Sequence, residues 1–126
     1  MRRPRVGCWR RAGHLAAALL LCWTWTGVIP GRVIDGDTFE AQVAIAPHHI
    51  WYPRVRVLGV DTPELDGATK PAALAAKAFT EAWLSRGPVV LVACKEDHFG
   101  RLLATVQRDG DNLATLLINA GHGVPR

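Results

Sequence analysis

The sequence predicts an α+β, mainly β fold, a five-stranded barrel with two helices. Three observations carry this expectation. Apolar and polar residues alternate along short stretches bounded by Gly, Pro or Asp; the period changes to three and four between positions 71 and 84; and an apolar stripe follows Asn112 near the end of the chain. At 126 residues there is room for one domain with one modest core.

Residues 28–34 are expected to form the first strand, with Asp35-Gly36 as the turn after it. From Thr38 to Ile45, Phe39, Ala41, Val43 and Ile45 share one face while Thr38, Glu40 and Gln42 share the other, the pattern of a half-buried strand. A loop around Pro47, His48 and His49 leads to a third strand over 51–60. Between 71 and 84, Leu74, Ala75, Ala78, Phe79, Ala82 and Trp83 recur at helical spacing, and Gly87-Pro88 stops the helix they define. Residues 89–94 and 102–108 read as two further strands. After the turn Asp109-Gly110-Asp111, Asn112 caps a last helix with Leu113, Leu116, Leu117 and Ala120 as its stripe and Gly121 at its end. Five strands with a helix after the third and another at the end suit an OB-fold.

The first 26 residues differ from the rest. Arg2, Arg3, Arg5, Arg10 and Arg11 precede an apolar run from Leu15 to Trp25, the layout of a secretory signal peptide. The run is shorter than the roughly 20 residues a membrane span needs. The expected organisation is a signal peptide over 1–26 and one domain over 27–126, secreted or periplasmic, monomeric and without stable membrane association after cleavage. Five of the 15 basic residues and none of the 11 acidic ones lie in that leader, so the domain itself is close to neutral. A generally positive surface for gripping nucleic acid is excluded, and affinity has to come from a local site. Cys8 and Cys22 fall in the leader, which leaves Cys94 as a lone thiol and predicts no internal disulfide.

Three segments carry the chemistry: Asp35-Gly36-Asp37-Thr38, then Arg56-Val57-Leu58-Gly59-Val60-Asp61-Thr62-Pro63-Glu64, then Asp97-His98-Phe99-Gly100-Arg101. They supply carboxylates for a hard cation and two arginines whose planar forks match a phosphate. Pro63 has a locked φ and restricts Thr62 to extended conformations, so Asp61 to Glu64 is a stiff corner suited to holding ligands. An EF-hand is excluded, because counting from Asp35 puts Glu40 where glycine is needed and Ala46 where the bidentate glutamate is needed. In a regular strand Arg56 and Asp61 would face opposite ways, so the chain has to bend near Gly59 or turn after Val60 to bring them together. Taken singly, Asp35-Gly36-Asp37 also reads as a plain turn, Arg56 as a solvent-facing strand residue, and Arg101 as a turn residue answering Asp97 or Glu96. His48, His49, His98 and His122 lack zinc-site spacing and read as loop residues.

In their order and spacing the three segments resemble the staphylococcal thermonuclease (micrococcal nuclease) family, in a short bacterial secreted form, over about residues 31–123. The resemblance implies an OB-fold and a Ca2+-dependent endonuclease that hydrolyses phosphodiester bonds in DNA and RNA with little sequence preference and leaves 3′-phosphate ends. It implies Asp37, Asp61 and the backbone carbonyl of Thr62 as calcium ligands, with Asp35 nearby. It also implies Arg56 and Arg101 as stabilisers of the transition state and Glu64 as general base. Phe99 stands where the family often has tyrosine, losing a hydroxyl and keeping a surface for stacking on a base. The competing expectation is a non-catalytic OB-fold module that binds nucleic acid or a protein partner.

Overall fold

The computed structural model describes residues 22–126. The strands are β1 (Trp23–Asp35), β2 (Thr38–Ala46), β3 (His49–Trp51), β4 (Arg54–Val57), β5 (Val60–Asp61), β6 (Val89–Glu96), β7 (Leu102–Arg108), β8 (Asp111–Asn112) and β9 (Val124–Pro125). Helix α1 (Lys70–Leu84) follows a 3-10 turn at Gly67–Thr69, and α2 (Leu113–Asn119) follows β8. The order β1-β6-β7-β4-β2, with β2 pairing back to β1, closes a five-stranded barrel in which only β4–β7 is parallel. With its two helices this is an OB-fold. Residues from every barrel strand fill the interior, among them Val28, Phe39, Val55, Leu91 and Val106, all fully buried.

Helix α1 is tied to the barrel at its C-terminus and along its buried face. At its C-terminus Arg108 of β7 donates to the carbonyls of Gly87 and Trp83, and its guanidinium lies 4.0 Å from the Trp83 ring centre. Near its middle Thr80 Oγ1 donates to the Gly36 carbonyl at 2.7 Å. A Cβ on Gly36 would stand 2.8 Å from the Ala76 Cβ, so the helix comes this close to the β1–β2 turn only because residue 36 has no side chain. Helix α2 is capped as expected, with Asn112 Oδ1 accepting from the Ala114 N–H at 2.9 Å.

Four expectations are corrected. The buried face of α1 is Ala73, Ala76, Thr80, Trp83 and Leu84, while Leu74 is exposed. Contact with the turn at Gly36 selects the small residues and the threonine for the inside. In β2, Ile45 is exposed and Thr38 is buried, because the strand runs out of the barrel at one end and enters the acidic turn at the other. The single third strand is three pieces: Pro53 separates β3 from β4, and Gly59, at φ +92°, turns the chain between β4 and β5.

The fourth correction concerns Cys94 and the strand it lies beside. β1 begins at Trp23, and Trp23, Thr24 and Trp25 pair with Ala93, Val92 and Leu91 of β6, so a boundary at residue 27 falls inside a strand. Cys22 is disulfide-bonded to Cys94, the next position in that register, so Cys94 is not a lone thiol. The alternation Trp-Thr-Trp-Thr over 23–26 is a strand signal hidden within an apolar run. The expected leader otherwise lies in residues 1–21, outside the described residues. Among the described residues no helix is long and apolar enough to cross a membrane.

Candidate functional site

The turn at Leu58-Gly59 brings Arg56 and Asp61 together as the bend expected near Gly59 requires. Arg56 is buried, and its guanidinium is the hub of the corner. Nη1 donates to the carbonyls of Val57 at 2.8 Å and Val60 at 2.9 Å. Nη2 meets Asp61 Oδ1 at 3.2 Å and Asp37 Oδ2 at 3.4 Å. Asp37, buried at the start of β2, is held by its neighbours in turn. Its Oδ2 accepts from the Thr62 N–H at 3.0 Å and its Oδ1 from the Thr38 hydroxyl at 3.1 Å. Asp37, Asp61, Thr62 and Arg56 therefore form one connected group drawn from two separate segments.

Asp35 sits beside this group, its Oδ1 accepting from the Asp37 N–H at 3.3 Å. Burial, followed by the hydrogen bond to Asp37 and the charge of Asp37, pushes the Asp35 carboxyl up to about 6. Burial alone would raise Asp37 as well, but the hydrogen bonds from Asp35 and from the Thr62 N–H, with the Arg56 charge, outweigh it and hold Asp37 below its ordinary value. Two acids at one turn with their titrations pushed apart, one upward and one downward, are what a polar recess shows when carboxylates crowd together.

Because Asp35 is raised, the folded chain keeps a proton that the unfolded chain releases. Its contribution favours folding below the ordinary carboxyl value of 3.8 and is lost as pH rises through about 6. Asp37, being lowered, contributes in the opposite sense, above 3.8 and lost as pH falls through its depressed value. With a chelator present, the melting temperature of an Asp35→Asn variant is expected to lose the decline that the parent chain shows between about pH 4 and pH 6. Parallel melting profiles for the two chains would rule out Asp35 as its source.

Donor chemistry at this turn fits a hard cation: Asp35 and Asp37 are adjacent, and the buried Thr62 hydroxyl has no hydrogen-bond partner among the described residues. The set is sparse. Among the described residues no three His, Cys, Asp or Glu side chains converge, so water would have to complete any coordination shell.

The second half of the site lies on the β6–β7 connection. Asp97 Oδ1 accepts from the N–H groups of Phe99 and Arg101, each at 2.9 Å, and its Oδ2 accepts from Arg101 Nε at 2.7 Å. These bonds hold the Asp97 carboxyl below its ordinary value against the opposing effect of burial. The turn reading of Arg101 is thus realised, and it orients the side chain without exhausting it: among the described residues both Nη groups are without a protein hydrogen bond. The guanidinium lies 5.3 Å from the ring centre of Phe99, itself 71% exposed.

A cavity of about 280 Å³ joins the two halves, lined by Arg56, Arg101, Phe99, His98, Asp97 and Arg126, among others. Asp61 and Thr62 line a different recess of about 350 Å³, together with Pro63 and His122. Glu64 is exposed on the loop after Thr62 and lines neither, and its backbone carbonyl accepts from the Thr69 hydroxyl at 2.7 Å. Arg56, Arg101 and Phe99 are thus brought together, Asp37, Asp61 and Thr62 join them through Arg56, and Glu64 stays apart.

The family model described as staphylococcal nuclease homologue matches residues 54–124, more than half of the chain. The chain belongs to the staphylococcal nuclease family. No curated protein matches it. The matched region of this staphylococcal nuclease homologue holds Arg56, Asp61, Thr62, Glu64, Phe99 and Arg101; the acidic turn at Asp35–Asp37 precedes it. The fold and the family make this a nuclease-like or nucleic-acid-binding OB-fold domain. Two cavity residues carry roles beyond those expected from the sequence. Asp97, expected only as a partner of Arg101, caps its own turn, and the spacing Asp97-x-Phe99-x-Arg101 suits that. Arg126 has no local signal, since only the pairing of β9 with β5 puts it there.

Proposed function

We propose that this domain is a secreted or periplasmic, calcium-dependent endonuclease that hydrolyses phosphodiester bonds in DNA and RNA and leaves 3′-phosphate ends. The observation that carries the reading is the cavity that Arg56 and Arg101, 45 residues apart in sequence, both line with the exposed Phe99. Charge builds on the equatorial oxygens of phosphorus in the transition state, and guanidinium groups held in place stabilise it without reorganising. Arg101 offers its unbonded Nη groups to those oxygens. Arg56 holds Asp37 and Asp61 and adds its own charge from beneath. Glu64, exposed on the loop after Thr62, has to swing from solvent toward the phosphate to accept the proton of the attacking water as the water oxygen bonds to phosphorus, the bond to the 5′-oxygen breaks and the 5′-oxygen takes a proton from solvent. A calcium ion held by Asp37, Asp61 and the carbonyl of Thr62 would supply a Lewis-acid contact to a phosphate oxygen. Phe99 stacks against a base.

Export as a monomer without stable membrane association belongs to the same proposal, and the Cys22–Cys94 bond supports an oxidising compartment. One observation favours the non-catalytic alternative: Arg56 is committed to four protein acceptors and Arg101 is paired with Asp97. The two readings separate in one experiment, digestion of single-stranded DNA by the full chain with added calcium and with a chelator. Cleavage that needs calcium is the expected result. Binding of the DNA without cleavage from a folded chain would transfer the proposal to a binding module.

A further inference from the structure

The last residues of the chain are held against the site by features that the proposed chemistry leaves unused. In the β5–β9 ribbon Val60 pairs with Pro125 and Asp61 with Val124, and the Arg126 N–H donates to the Gly59 carbonyl at 3.2 Å. A Cβ on Gly123 would fall 2.5 Å from Val60 Cγ2 and 3.1 Å from the Asp61 carbonyl, so β9 approaches this closely only with glycine there. The result is a third guanidinium at the cavity that Arg56 and Arg101 line.

The three cations are not equally available. Arg56 is buried with its nitrogens engaged, and the Nε of Arg101 is held by Asp97. The Arg126 side chain is 67% exposed, and its one ion-pair contact among the described residues is a loose one, 3.8 Å from Asp61 Oδ1. That same oxygen already receives Arg56 at 3.2 Å. Arg56 is thus answered by both Asp37 and Asp61 and Arg101 by Asp97, and the contact of Arg126 with Asp61 is the loosest of these pairs. The group most free to leave its partner for an external anion is Arg126, and the anion its planar fork suits best is a phosphate.

We propose that Arg126 is a further substrate-binding residue, which grips a phosphate of a single-stranded polynucleotide next to the one that is cleaved; the inference rests on the nucleic-acid reading above. Its contribution is to holding the strand in register beside Phe99, whose exposed ring takes an unstacked base. Arg126 therefore acts on binding before any chemistry. The backbone bond from residue 126 to Gly59 does not depend on its side chain, so substitution leaves the ribbon in place.

The test is equilibrium binding of a short fluorescein-labelled single-stranded DNA to the full chain in chelator, across a salt series, for the parent, Arg126→Ala and Arg126→Lys. Arg126→Ala is expected to weaken binding about five- to tenfold and to lower the slope of log affinity against log salt by about 0.7, the loss of one phosphate contact. Arg126→Lys is expected to restore the slope and part of the affinity, because it keeps the charge and loses the fork. Equal affinity and slope in parent and Arg126→Ala would overturn the inference and leave the nucleic-acid reading standing. A folded parent chain that binds no DNA would overturn both.

Discussion

Arg56→Ala is expected to lower nuclease activity at least about a hundredfold and also to destabilise the fold by about 3 kcal/mol. Both effects arise from one buried guanidinium. Removing it leaves the carbonyls of Val57 and Val60 without their donor and leaves Asp37 as a buried carboxylate without its cation. An uncompensated charge in that position costs several times more than an exposed ion pair contributes. The β4–β5 corner then loses what closes it, and Asp61 with Thr62 loses its place relative to Asp37. Arg56→Lys keeps the charge and cannot serve two carbonyls and two carboxylates at once, so an intermediate loss is expected. Urea unfolding and initial rates on single-stranded DNA check the two effects separately. A variant as stable as the parent would mean that the corner does not depend on this side chain. Near-normal rates would remove Arg56 from the mechanism.

Glu64→Gln is expected to give an equally large fall in activity, at least about a hundredfold, with no measurable change in stability. The contrast follows from position. Glu64 is exposed, and among the described residues its carboxylate has no hydrogen-bond or ion-pair partner. Among the described residues the one hydrogen bond to Glu64 is at its backbone carbonyl, which glutamine retains. Glutamine matches the shape of the side chain and cannot accept a proton, so the comparison isolates proton transfer from packing. Rates and melting temperature measured on the same preparation decide it. Activity within a few-fold of the parent would assign the base to another group or to solvent.

Much of the barrel was legible because its strands repeat at period two and its helices at three to four. Phe39, Ala41 and Val43, the Asn112 cap and the strand over 102–108 all stand where those patterns put them. Arg56, Asp61, Thr62, Phe99 and Arg101 were legible as a set because their residue types and order match a known arrangement. What was not legible depended on contacts between distant segments. Leu74 faces solvent because Gly36, some 40 residues earlier, lets Ala76 and Thr80 pack against the acidic turn instead. Trp23 and Trp25 look like leader hydrophobes until Ala93 and Leu91 pair with them.

By itself the sequence determined the mainly β class, the caps and stops of its helices, and an inventory of carboxylates and arginines spaced for phosphate chemistry, since these follow from local periodicity and residue type. Only the tertiary structure decided which of these groups share an environment. It buried Arg56 as the hub of a corner, left Glu64 in solvent, let Asp97 orient Arg101, carried Arg126 into the cavity and joined Cys22 to Cys94. Each of those outcomes depends on strand pairing across long stretches of chain, where burial, charge and close approach are set by neighbours that sequence distance does not reveal.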